Sequence, residues 1–179
     1  CNNNPVTFCD PTGSYGYNGT PQGKNATYIS HTAGGGETPE PEPEPEPTDG
    51  IKYTKITSVA ELTDGEYIIV YENGNNAYVY NGKDAVNGYT DATVSNGSIT
   101  TDKAFAGEVT IAAMNGGYSL KVAGGYMYGT SGSNKLNFNS TTAQVNTIKI
   151  ENDGSATITS NTSVLRFNAA KDQMRFRYY

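Results

Sequence analysis

The chain has 179 residues, with 12 Lys and Arg against 18 Asp and Glu, 21 Gly, 14 Tyr, no Trp, one His and two Cys. Seven of the acids and only one base, Lys24, lie before residue 51, so residues 51–179 are formally neutral; His31, Cys1 and Cys9 also precede them. That length bounds the chain to one ordinary domain plus a further segment, and a domain without His or Cys is excluded from imidazole base catalysis, thiol nucleophiles and soft-metal ligand sets.

Residues 1–33 are rich in Asn, Gly and Tyr, with three Pro and few aliphatic side chains. Such a stretch buries too little apolar surface to fold alone. It is expected to be the terminal fragment of an upstream domain, or else a polar tether beginning at a lipid-modified Cys1. Cys1 and Cys9 are candidates for a small disulfide loop in an oxidising compartment. Residues 34–50 read GGGETPEPEPEPEPTDG, with Pro and Glu alternating from Pro39 to Pro47. Each Pro fixes φ and restricts its predecessor to extended conformations, and the Glu charges repel, which predicts a semi-rigid spacer about 25–30 Å long over that alternation.

From Ile51 the text becomes strand-like. Short runs rich in Val, Ile, Thr, Tyr and Phe occupy 54–57, 66–71, 77–80, 108–112, 118–122, 126–128, 135–138, 147–151, 156–159, 164–167 and 174–178, several with period-two alternation. Turn pairs fall between them, among them Asp64-Gly65, Asn73-Gly74, Asn96-Gly97, Asn115-Gly116 and Asp153-Gly154. The only helical candidate is Ser58–Leu62, long enough for a single turn. Residues 51–179 are therefore expected to form an all-β module, and no apolar run is long enough to span a membrane as a helix.

A self-comparison finds a threefold echo. Thr54-Lys55-Ile56 leads to Asp64-Gly65-Glu66-Tyr67-Ile68-Ile69, Val109-Thr110-Ile111 to Asn115-Gly116-Gly117-Tyr118-Ser119-Leu120, and Ile148-Lys149-Ile150 to Asp153-Gly154-Ser155-Ala156-Thr157-Ile158. Each unit continues into another short strand. Three units of about forty residues, none able to bury its apolar face alone, should share a core. A β-trefoil-like closed barrel of three repeats is the natural form; a small β-barrel or a β-sandwich is the alternative.

The phrases GEYIIVYENGNNAYVYNG (65–82), GGYSLKVAGGYMYG (116–129) and LRFNAAKDQMRFRYY (165–179) resemble a poorly characterised C-terminal all-β accessory module of secreted multidomain proteins, often hydrolases or nucleases, of gut Bacteroides-type bacteria. The resemblance covers about seven tenths of the chain. It implies an appended, non-catalytic module on a secreted or cell-surface protein, following a catalytic domain in the same polypeptide; it supplies no binding motif. Similar modules continue past the RFRYY phrase into one more strand.

A carboxylate pair could act as acid and base in a glycosidase, with Glu66, Glu72, Asp84, Asp91, Asp102, Glu108, Glu151, Asp153 and Asp172 as candidates, but most stand beside turn residues. Asp84 and Asp91 are the only candidates for calcium and match no strong calcium motif, so no cofactor is expected. His31 reads as a solvated side chain or as the relic of an upstream active-site edge. Nucleic acid is disfavoured: Arg166, Lys171, Arg175 and Arg177 interleave with Phe167, Phe176, Tyr178 and Tyr179, yet the module carries no net charge. Sugar recognition fits better, because Tyr faces stack on pyranose C–H groups while amides bond hydroxyls. Tyr78, Tyr80, Tyr126 and Tyr128, with Asn76, Asn81 and Asn134, are the candidate site, drawn from a wider set including Tyr71, Tyr89, Tyr178, Tyr179, Asn73, Asn75 and Asn137. The expected function is non-catalytic binding of glycan or cell-surface polysaccharide that tethers an upstream enzyme to its substrate. The alternatives are a structural, sorting or protein-contact domain, and an appendage of a secreted nuclease or hydrolase whose catalytic part lies outside this sequence.

Overall fold

The computed structural model describes the backbone of residues 6–10 and all of residues 50–179. The expectations for the Cys1–Cys9 disulfide, a modified Cys1, His31 and the Pro/Glu spacer lie outside the described residues. What is described is all-β. Among the described residues the only helical element is one 3-10 turn at Val59–Glu61, capped by the Ser58 hydroxyl, which accepts from the Ala60 amide. A turn stopped by Asp64-Gly65 cannot add a second.

The strands are β1 (Val6–Asp10), β2 (Ile51–Lys55), β3 (Gly65–Asn73), β4 (Asn76–Tyr80), β5 (Tyr89–Thr93), β6 (Ser98–Thr101), β7 (Val109–Met114), β8 (Gly117–Val122), β9 (Gly125–Thr130), β10 (Ser133–Asn139), β11 (Thr147–Ile150), β12 (Ser155–Ser160), β13 (Ser163–Asn168) and β14 (Arg175–Tyr178). β1, β5 and β6 lie outside the strand runs expected from the sequence. The Thr-Asp-Ala-Thr of β5 is mostly exposed, and β6 is four residues long, so neither carries an apolar alternation. All strand pairs are antiparallel, and the longest hydrogen-bonded path runs β10-β9-β8-β7-β3-β1-β12-β13-β14.

The threefold echo corresponds to pairing. β7 and β8 form a hairpin with Ile111 opposite Leu120, and β11 and β12 form one with Ile148 opposite Ile158. Each hairpin continues by a meander, into β9 and β10 and into β13 and β14. The first unit departs from the pattern. Ile69 on β3 stands opposite Phe8 on β1, not a residue of β2, and β2 pairs instead with β6 and the end of β1. No closed barrel is detected among the described residues; β8 and the start of β11 are linked by one isolated bridge, Tyr118 with Asn146.

Burial follows these strands. Alternating residues of β7 to β9 and β11 to β14, including Val109, Ile111, Leu120, Met127, Ile158, Leu165, Phe167, Phe176 and Tyr178, converge on the main core with Tyr67 and Ile69 of β3. A second cluster holds Tyr53, Ile68, Val70, Ala77, Val79 and Ile99. β3 is thus covered on both faces, which explains why it reads as a continuous Ile-Ile-Val run and not as an alternation.

Candidate functional site

In an antiparallel pair, directly opposed residues share a face and successive same-face residues lie about 7 Å apart. On β9, Met127 is buried while Tyr126 and Tyr128 are half-buried, so the two tyrosines lie on the outer face. β8 brings Lys121 opposite Tyr126, and β10 brings Asn139 opposite Tyr126 and Asn137 opposite Tyr128. One sheet face therefore carries two neighbouring Tyr rings bordered by two amides and an ammonium. Lys121 Nζ lies 5.4 Å from the Tyr126 ring centroid, a cation–π distance. Asn137 Nδ2 donates to Thr130 Oγ1 at 3.2 Å, and Asn139 Oδ1 accepts from the Thr141 and Thr142 amides at 3.1 and 2.9 Å. These bonds fix both amide orientations. Among the described residues the Tyr126 and Tyr128 hydroxyls make no hydrogen bond.

Asn134 is exposed on the same strand, within the stretch Ser133–Asn137 where the β9–β10 register shifts. The structure thus brings Tyr126 and Tyr128 together and places Asn134 at the hairpin end of their strand pair. Lys121 and Asn139 were not anticipated; the alternation of β8 and β10 holds the signal, but only the register reveals that they meet the tyrosines.

The other four candidates separate from this face. Tyr80 is 1% exposed, with its ring edge-on to Phe176 at 5.6 Å between centroids. It is a core residue, and the expectation of a ligand-stacking face there is corrected: Tyr80 shares one face of β4 with Tyr78, and Phe176 of the main core covers it. Burial pushes its hydroxyl pKa well above the usual phenol value. Its hydroxyl and the neighbouring Asn81 Oδ1 are buried without a hydrogen-bond partner among the described residues. Tyr78 is half-buried, stacked on Phe167 and Tyr71 at 5.3 and 6.0 Å and edge-on to Tyr89 at 5.0 Å. Asn76 is exposed and borders a shallow open depression of about 400 Å³ with Ala77, Tyr78, Asp91, Ala92 and Thr93. That depression offers one packed ring against the two open ones of β9.

The basic C-terminal phrase folds as a strand with Phe176 and Tyr178 inward. Arg177 Nε pairs with Asp84 Oδ1 at 2.5 Å, and Arg175 donates to Gln173. Asp84 is thereby committed to an ion pair. Among the described residues no group of three or more His, Cys, Asp or Glu is placed to hold a metal, and no helix is long and apolar enough to cross a membrane. Of the carboxylates among the described residues, Glu108 is the one whose pKa is raised. It accepts the Tyr53 hydroxyl at 2.5 Å, and burial, opposed by that bond and reinforced by Glu66, raises its pKa above the usual carboxylate value.

Comparison of the chain with protein-family models, curated proteins and solved structures finds no match.

Proposed function

We propose that this chain is a non-catalytic accessory module that binds glycan or cell-surface polysaccharide through the outer face of β8, β9 and β10, on a β-trefoil-like scaffold of three units. The observation that carries the reading is the pair Tyr126 and Tyr128: two half-buried tyrosines on one face, their Cα atoms about 7 Å apart, with unpartnered hydroxyls among the described residues and oriented amides at Asn137 and Asn139 beside them. Rings of this kind supply apolar contact area at low entropic cost, and the amides supply directional bonds to hydroxyls. The trefoil reading rests on the two matching hairpins, β7–β8 and β11–β12, and on the third unit-like position of β3. In a secreted or surface protein, such a module on a Pro/Glu spacer would raise the local concentration of substrate for an upstream catalytic domain.

The second reading is a structural, sorting or protein-contact domain. It is favoured by the number of tyrosines spent on packing: Tyr53, Tyr67, Tyr80 and Tyr178 are all at most 1% exposed. A glycan-array screen of the full chain separates the two. Selective binding lost in the Tyr126→Ala, Tyr128→Ala double variant, with an unchanged β spectrum, is the expected result. A silent array from folded protein, or binding that survives the double change, would sink the assignment to this face.

A further inference from the structure

Charge is spread unevenly along the β module. Residues 51–108 carry eight Asp and Glu against four Lys, and residues 151–179 carry three acids against four bases. Between them, residues 109–150 contain no acid and three lysines, Lys121, Lys135 and Lys149. That stretch holds β7 to β11, and with them the whole tyrosine face of β8, β9 and β10. Lys149 pairs with Glu151 at 2.5 Å. Lys121 and Lys135 are both exposed, and neither has an ion-pair partner among the described residues.

The register sets these two cations at the ends of the tyrosine pair. A row of opposed residues crosses the sheet from Glu66 on β3 through Thr110, Lys121 and Tyr126 to Asn139. Lys121 therefore stands at the Tyr126 end, its ammonium 5.4 Å from the ring centroid. Lys135 lies beyond the Tyr128 end, two residues before Asn137, which is opposite Tyr128, and next to the buried Leu136. The acid in the row, Glu66, is separated from Lys121 by the intervening strand β7, about 10 Å between Cα atoms. Asp64, towards the other end of β7, is committed to the Ala113 amide at 2.7 Å. An exposed ammonium over a ring gains little. A carboxylate or sulfate oxygen offers it a charge-assisted hydrogen bond, roughly twice as strong as a neutral one. Long-range attraction does not supply this selectivity, because the chain carries a net charge of -6 and repels anionic polymers. The local pair of lysines has to supply it.

We propose that the glycan bound by this face is anionic: a polysaccharide whose sugar carboxylates or sulfates meet Lys121 and Lys135 while its rings lie against Tyr126 and Tyr128. The inference rests on the glycan reading of the β8–β10 face. Nucleic acid fits less well, since two lysines neutralise few phosphates.

The test titrates the full chain with four polymers by calorimetry: polygalacturonate and its fully methyl-esterified form, and dextran sulfate and dextran. Each pair shares a sugar backbone and differs in charge. The expected result is that polygalacturonate or dextran sulfate binds at least about tenfold tighter than its neutral counterpart, the responding pair telling carboxylate from sulfate. Lys121→Gln with Lys135→Gln should weaken that binding about tenfold with an unchanged thermal midpoint. Lys121→Arg with Lys135→Arg should retain it, and Tyr126→Ala with Tyr128→Ala should abolish it. Equal binding of a charged polymer and its neutral counterpart, or charge-dependent binding indifferent to the double Lys→Gln change, would overturn the anionic ligand and leave the glycan reading standing. A single-stranded DNA oligonucleotide bound more tightly than either charged polymer would overturn both. Silence towards all four polymers would overturn the inference, and the glycan array decides the parent reading separately: neutral glycans bound through Tyr126 and Tyr128 keep it, and a silent array removes it too.

Discussion

Tyr178 donates its hydroxyl to Asn146 Oδ1 at 2.6 Å, and both residues are fully buried. The Asn146 amide nitrogen donates in turn to the carbonyls of Met127 and Gln144 at 3.1 and 3.2 Å, and its backbone exchanges two 2.8 Å bonds with Tyr118. One residue therefore joins β8 through its backbone and β9 and the last strand through its side chain, across the place where β8 and β11 touch only by a bridge. Replacing Asn146 with Leu strips partners from the Tyr178 hydroxyl and the Met127 carbonyl, and should cost about 3 kcal/mol. Tyr178→Phe leaves only Asn146 Oδ1 unpaired and should cost about 1–2 kcal/mol. Urea unfolding of both variants should give that order; equal losses would show that the Tyr178–Asn146 bond carries the whole effect and that the amide's bonds to Met127 and Gln144 add nothing.

Phe167 is the hub of the aromatic core. Its ring lies 4.7 Å from Tyr71, 4.8 Å from Phe176, 5.3 Å from Tyr78 and 5.8 Å from Tyr89. Truncation to Ala removes four ring contacts and leaves a cavity in a place with little freedom to collapse, so a loss of about 3–5 kcal/mol is expected. The Tyr126→Ala, Tyr128→Ala pair removes open rings and should cost no more than about 1 kcal/mol. Denaturant midpoints measured side by side test the difference between packing and binding tyrosines. A double variant as damaged as Phe167→Ala would assign the β9 face to packing.

These two classes of tyrosine look the same in the sequence. Tyr78-Val-Tyr80 and Tyr126-Met-Tyr128 share one pattern, an apolar residue between two tyrosines, yet Tyr80 is buried and Tyr126 and Tyr128 stay half-open. Alternation fixes which residues share a face but not whether another layer covers it. Phe167 and Phe176 cover the β4 tyrosines from strands nearly a hundred residues away. The all-β class and the hairpins of the second and third units were legible because their partners are neighbours in sequence and joined by Asn-Gly or Asp-Gly turns. The pairing of β1 with β3 and β12 was not, since nothing local in Val6–Asp10 encodes which strands flank it.

One tight turn carries no glycine. β12 and β13 are joined by Asn161-Thr162, both in the left-handed region with φ of 47° and 71°, where hairpins of this kind favour Gly at the second position. A β-branched residue there is strained by about 1 kcal/mol. The Thr162 hydroxyl recovers little, through an exposed 3.1 Å contact with Ser131. Thr162→Gly should therefore raise stability by about 0.5–1 kcal/mol despite the added freedom of the unfolded chain. A thermal midpoint that falls would mean that the Ser131 contact outweighs the strain.

Glu108 should impose a pH dependence of the opposite sense to that of a salt-bridged carboxylate. Its pKa in the folded protein is raised above the ordinary value of 4.5 because burial penalises the carboxylate more than the Tyr53 hydrogen bond relieves it, and the nearby Glu66 charge adds a smaller push in the same direction. The folded state thus holds the proton more tightly than the unfolded chain. The resulting stabilisation is complete below pH 4.5 and is lost as pH rises through the folded value. Glu108→Gln keeps an acceptor for the Tyr53 hydroxyl, which donates at 2.5 Å, and removes the titrating group. Relative to the wild type, the variant should gain stability as pH rises above 4.5 and level off once pH has passed the folded value. Urea unfolding across pH 4 to 8 measures this directly. A difference between the two proteins that does not change with pH would show that water reaches Glu108 well enough to cancel the cost of its burial.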